Sequence, residues 1–220
     1  MNNPLFTVSS EEFAAARGRI PSYKNRLLLV EAPKKIDLEQ AITEGIRDGI
    51  DYLSQKSDSF SLPALEKWAK MMTDTKNAKA WPVVFKKRNG LYSTLKSIYE
   101  GIEHKGTGGG GMRGMYADFL TEASAVLNKP ALKDVASHYR KLGKMWTNLA
   151  ESCLPDIVKP LKETKSLVAQ KYALLRTQGD AGLQEIKKIS ATLNAFDAKF
   201  SRQLPLHDDE IAKLFDEVQS

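Results

Sequence analysis

Apolar residues three and four positions apart recur along nearly the whole chain, and that spacing commits it to helices packed on helices. The longest run is Leu132, Val135, Tyr139, Leu142, Trp146, Leu149 and Cys153, which alternate three and four apart. That is the seam of a heptad-like helix. Shorter runs share the pattern: Leu38, Ile42, Ile46, Ile50 and Leu53; Leu65, Trp68, Ala69 and Met72; Leu91, Leu95, Ile98, Tyr99 and Ile102; Tyr116, Phe119, Leu120, Ala123 and Leu127. Beyond the seam, Leu161, Val168 and Leu175, then Leu183, Ile186, Leu193, Phe196 and Phe200, then Ile211, Leu214 and Phe215 mark three more helices. No unit repeats at a fixed period, which argues against a solenoid.

The punctuation agrees with the periodicity. Ser9 with Glu12 forms a capping box for a first short helix, which Gly18 and Pro21 end. Asp37 with Gln40 at the third position starts the next one, and Pro63 suits a first helical turn. Gly45 and Gly49, four apart on a strip beside the apolar face, predict close approach by another helix. One segment breaks the pattern. Arg26 to Ala32, with Leu27 to Val30 at its centre, is a short apolar run bounded by Asn25 and Pro33, and it reads as a strand. No second strand follows, so its backbone groups would need a partner outside the chain. The expected fold is therefore a mostly α multi-helix bundle with one short N-terminal strand. Residues 1–35 form a domain-joining segment and 36–220 a helical domain.

Composition excludes several function classes. The 33 Lys and Arg exceed the 27 Asp and Glu by six, but the basic residues are spread over most of the helices. Pairs such as Lys34-Lys35 and Lys187-Lys188 are solvated faces, and no basic stripe with aromatic platforms marks a nucleic-acid binder. No apolar stretch approaches membrane-spanning length, and the N-terminus has no secretory pattern, so the expected setting is the cytoplasm. The single cysteine, Cys153, excludes an internal disulfide and a cysteine-based zinc site. It lies on the Trp146 seam, where a thiol acts as a small hydrophobe; nucleophilic use would need a lowered pKa and a base nearby. His104, His138 and His207 are not at metal-ligand spacing. His138 falls on a solvent-facing strip, and His104 ends a helix, where its charged form would suit the helix dipole. Neither a catalytic set, a metal site nor a cofactor motif is visible.

The chemical interest concentrates in the glycine run. Five of the six residues Gly106 to Gly111 are glycine, and the run feeds into Met112-Arg113-Gly114-Met115-Tyr116. Its G-x-G-x-x-G pattern follows a helix rather than a strand, which excludes a dinucleotide fold, and no Gly-Lys-Ser/Thr closes a phosphate loop. Two readings stay open. Exposed amides at a helix start, with Lys105 before the loop and Arg113 after it, could hold a phosphate or carboxylate. Equally, the glycines could be a flexible link between two helices. The candidate ligand residues are Lys105, Gly108, Gly109, Gly110, Gly111, Arg113 and Tyr116.

The block from Gly106 to Ala123 resembles the signature of the C-terminal helical domain in the butirosin biosynthesis protein H family. Val8 to Arg17, Ile36 to Ile42, Leu62 to Ala69, and Tyr139-Arg140 with Trp146 resemble its flanking segments, so the likeness covers most of residues 6 to 150. The resemblance implies an accessory domain of a papain-like cysteine acyltransferase from antibiotic biosynthesis, which moves an acyl group from an acyl carrier protein to an amine. An N-terminal domain carries that family's cysteine and histidine, and neither position can be matched here. The implied partners are an acyl carrier protein or its phosphopantetheine arm. The alternative is a stand-alone helical module that binds a protein or forms a homodimer.

Overall fold

The computed structural model describes residues 6–19, 29, 31, 35–202 and 204–219. The described residues form ten α-helices and no strand: α1 (Ser10–Gly18), α2 (Leu38–Ser54), α3 (Leu62–Thr73), α4 (Trp81–Val84), α5 (Leu91–Glu103), α6 (Arg113–Val126), α7 (Ala131–Cys153), α8 (Lys159–Thr177), α9 (Leu183–Phe200) and α10 (Asp208–Gln219). Short 3-10 turns at Gly110–Met112 and Gly179–Gly182 lead into α6 and α9. The chain is a mostly α multi-helix bundle. Of the expected strand, Leu27, Leu28 and Val30 lie outside the described residues, and Leu29 is exposed and outside any strand. None of the described helices is long and apolar enough to cross a membrane.

The caps form as the sequence indicates. Ser9 accepts from the Glu12 amide at 3.1 Å while Glu12 accepts from the Ser9 amide at 3.0 Å, closing the box on α1. Asp37 accepts from the Gln40 amide at 3.0 Å, but the Gln40 side chain turns away and donates to Glu44 at 2.8 Å.

The main core gathers around α5. Leu91, Tyr92 and Leu95 are fully buried there, against Leu161 and Val168 of α8, Leu193 and Phe200 of α9, and Leu214 and Phe215 of α10. Each such side chain contributes roughly 1.5–3 kcal/mol by leaving water. The Thr164 hydroxyl donates to the Pro160 carbonyl at 2.8 Å, which leaves the Tyr92 hydroxyl as donor to Thr164 at 2.7 Å. Lys96 pairs with Asp197 at 3.0 Å and joins α5 to α9. Trp68, Trp81, Phe85 and Phe215 meet edge-on or tilted and close the α3–α4–α10 end.

A second, smaller cluster is built from Ala117, Leu120 and Ala136, with Ile46, Tyr116, Phe119, Leu132 and Tyr139 packed round it. It joins α2 to α6 and the first half of α7. The apolar seam of α7 behaves differently from its pattern. The buried residues of α7 are Ala136, Gly143, Ala150 and Cys153, the first three of them seven apart, whereas Val135 and Leu142 stay 41% and 37% exposed. Small residues let α5, α6 and the glycine turn approach closely, and this pushes the larger seam residues to the edges of the contact. Helical spacing identifies an apolar face but not how near the neighbour comes.

Candidate functional site

The glycine run is wound tightly onto α7. Gly108, Gly109, Gly110 and Gly111 all have positive φ, and Met112 continues the left-handed turn at φ 70°. The deciding position is Gly110, at φ 54°: a β-carbon there would sit 2.7 Å from the Gly143 carbonyl oxygen. Two glycines thus face each other across the loop and α7. The run follows a defined path because its backbone must both turn left-handed and touch another backbone. The link reading therefore takes a definite form, a rigid packing turn.

The loop supplies its own anion. Glu103, at the end of α5, accepts from the Gly110 amide at 3.1 Å and from the Thr147 hydroxyl at 2.8 Å through the same carboxylate oxygen. Lys105 pairs with Glu100 at 3.1 Å and turns away from the loop. Gly108, Gly109 and Gly110 border a shallow groove with Asp118, Arg140 and Lys144, in which Arg140 and Asp118 neutralise each other at 2.9 Å.

Gly111, Arg113 and Tyr116 belong to a different place. They line a cleft of about 590 Å³ between α2 and α6, with Ile50, Leu53, Phe119 and Tyr139. The Arg113 guanidinium stacks over Trp146 at 3.9 Å and donates to the Gly111 carbonyl at 2.5 Å. A side chain at Gly111 would collide with that guanidinium. Burial lowers the Arg113 pKa from its ordinary value, and no carboxylate among the described residues is paired with it. Tyr116 stands edge-on to Tyr139 with centroids 4.6 Å apart, and burial raises its pKa. Its hydroxyl lies 3.9 Å from where a β-carbon of Gly49 would be, an ordinary contact with a side-chain tip rather than the expected close approach of a helix. Gly45 faces nothing within 4 Å.

The seven candidate residues therefore split three ways: Lys105 apart, Gly108 to Gly110 in the polar groove, and Gly111, Arg113 and Tyr116 in the apolar cleft. Residue-by-residue reading missed Glu103, Tyr139, Gly143 and Trp146. Tyr139 and Trp146 were hidden in a seam that reads as core. Gly143, a glycine inside a long helix, carried a signal of close backbone approach.

The other titratable candidates differ in burial. Cys153 is fully buried, and burial pushes its thiol up to about 12, which leaves it a core residue with almost no thiolate at neutral pH. His104 departs from the expected charged cap. It is stacked on Tyr172 at 5.0 Å and set edge-on to Tyr99 at 5.4 Å, and burial, aided by Arg176, lowers its pKa. Both ring nitrogens are buried without a hydrogen-bond partner among the described residues. His138 is exposed, its Nδ1 2.9 Å from the Asp134 carbonyl oxygen. The described residues contain no cluster of three or more His, Cys, Asp or Glu fit to hold a metal ion.

A family model described as a domain of unknown function (DUF4872) matches residues 11–175. The chain belongs to that family. The DUF4872 match takes in the glycine turn, both grooves beside it and most of α8, while α9 and α10 lie beyond it. No curated protein and no solved structure matches the chain.

Proposed function

We propose that this DUF4872 chain is a helical accessory domain of a butirosin biosynthesis protein H-like acyltransferase, an enzyme that passes an acyl group from a carrier protein to an amine. In this reading it works in the cytoplasm and lends a docking surface rather than a nucleophile. The observation that carries it is α2. This helix of 17 residues is amphipathic, yet none of its residues is fully buried, and Leu38, Ile50 and Leu53 are 55%, 58% and 37% exposed. An amphipathic helix gains most of its stability from covering its apolar stripe, so a stripe left half open suits contact with a second body. Ile36, Phe60 and Leu62, which flank α2 in sequence, are exposed as well. The inert state of Cys153 fits a chain whose contribution is not nucleophilic.

The test is to mix the chain with the cysteine domain of a butirosin biosynthesis protein H-like protein and follow complex formation by sedimentation velocity. A one-to-one complex that Leu38→Glu weakens is expected. Failure to associate with that domain, with an intact helical spectrum, sinks the reading.

A second reading, a stand-alone module that binds a protein or dimerises, draws support from a groove of about 450 Å³ between α3, α7 and α10, where Leu65, Trp68, Leu142 and Met145 meet. Met145 is 62% exposed there. Concentration-dependent dimerisation abolished by Met145→Glu, and indifferent to Leu38→Glu, would favour it.

A further inference from the structure

We propose that the α2–α6 cleft is a small-molecule site for a carboxylate with an apolar, aromatic-sized body, the carboxylate resting on Arg113. The cleft, at about 590 Å³, falls within the span of about 300–1,000 Å³ common for small-molecule pockets. Its lining is the usual mixture for such a site, largely apolar and aromatic walls with a few polar groups that converge. Ile50, Leu53 and Phe119 give the walls, and the Tyr116 and Tyr139 rings meet between them.

Charge decides the class of ligand. Of the described residues that line the cleft, Arg113 alone carries a formal charge. Its guanidinium spends one donor on the Gly111 carbonyl and lies over Trp146 at 3.9 Å, and these two contacts fix its position while its other donors keep no partner among the described residues. The Tyr116 and Tyr139 hydroxyls have no hydrogen-bond partner among the described residues, and their rings meet edge-on at 4.6 Å. A half-buried cation in a cleft with two phenols, and with no acid among the described residues that line it, complements a carboxylate. The groove on the other side of the glycine turn shows the contrast: Glu103 already accepts from the Gly110 amide and Asp118 pairs with Arg140. Ile50 and Leu53 belong both to the cleft wall and to the stripe proposed above for docking, so the assignment is for the chain free of a second domain, the form the experiment uses.

The experiment is calorimetric titration of the full chain with 4-phenylbutyrate and, in parallel, with its neutral amide. The carboxylate is expected to bind at least about tenfold more tightly, which corresponds to one charge-assisted contact. Arg113→Gln should erase that preference while leaving weak amide binding. Because Arg113 also packs on Trp146, a second variant guards against simple misfolding: Gly49→Leu, on the rim of the cleft, should abolish binding of both probes with helicity unchanged. Equal binding of the two probes, unchanged binding in Gly49→Leu, or no binding of either at millimolar concentration overturns the assignment. So does self-association that Gly49→Leu disrupts in the absence of probe binding, since the cleft would then be a protein contact.

Discussion

The helix α7 passes through two regions that use it in opposite ways. Its C-terminal half, with Ala150 and Cys153, is sealed into a core where Leu91, Tyr92, Leu95 and Leu161 are fully buried. Its N-terminal half meets α2 and α6 over a cluster whose fully buried members are two alanines and one leucine, while Tyr116, Phe119 and Tyr139 stay half exposed. The first arrangement removes large apolar side chains from water, with the groove against α3 and α10 at its surface. In the second, large side chains stand around a small-residue contact, which forfeits part of that stabilisation and creates a lined cleft. Stability and recognition are thus laid out in sequence along one helix, with the glycine turn pressed on Gly143 between them.

The sharpest way to test this contrast is Leu95→Ala in the main core. Removing a fully buried leucine should lower the unfolding free energy by about 2–5 kcal/mol in urea denaturation. A loss no larger than that of Ile46→Ala in the smaller cluster would erase the distinction between the regions.

Next in size is the turn that joins them. Gly110→Ala combines the strain of a left-handed backbone, about 1–2 kcal/mol, with overpacking against the Gly143 carbonyl, about 1–3 kcal/mol. Gly106→Ala, also at positive φ but facing nothing within 4 Å, should show only the first part. Equal losses in the two variants would mean that the loop does not depend on its contact with α7.

The main core also carries a pH dependence at its edge. His104 lies between Tyr99 and Tyr172, with Glu100, Glu103 and Arg176 as its charged neighbours, and burial holds its folded pKa below the ordinary 6.5. The unfolded chain therefore takes up that proton first. The contribution of the neutral ring is complete above the unfolded value and is lost as pH falls below it toward the folded value. Denaturation midpoints between pH 7.5 and pH 5 should decline, and His104→Gln should flatten the decline. An unchanged slope in the variant would exclude His104 as its source.

The smallest effect is expected in the open region. Ile50→Lys, at a position 58% exposed, should shift stability by no more than about 0.5 kcal/mol. A loss above about 2 kcal/mol would show that α2 is far better covered than its exposure indicates.

Much of the architecture was legible because helix formation is local. The Ser9–Glu12 box, the Asp37 cap and the proline-led start of α3 follow from residues within one turn of each other. Burial of Cys153 was likewise readable, since it ends an apolar seam. The site was legible only in part. The glycine run pointed to the right stretch of chain, yet the backbone contact that explains it involves Gly143, more than thirty residues away, and the charge that fills it comes from Glu103 on the preceding helix. Arg113 and Lys105 looked equivalent as cations flanking a loop. The fold gives Lys105 to Glu100 and leaves Arg113 without an acid among the described residues.

By itself, then, the sequence determined that the chain is mostly helical, where several helices begin, which faces are apolar, and that the glycines mark the odd point in the chain, while the short α4 went unread. Tertiary structure alone decided which apolar faces are sealed and which remain open, because burial depends on how closely distant elements approach. It also decided which charges are paired, because a side chain's partner is set by position in space. For the α2–α6 cleft both decisions fall on the same few residues, an uncovered aromatic wall and an uncompensated guanidinium.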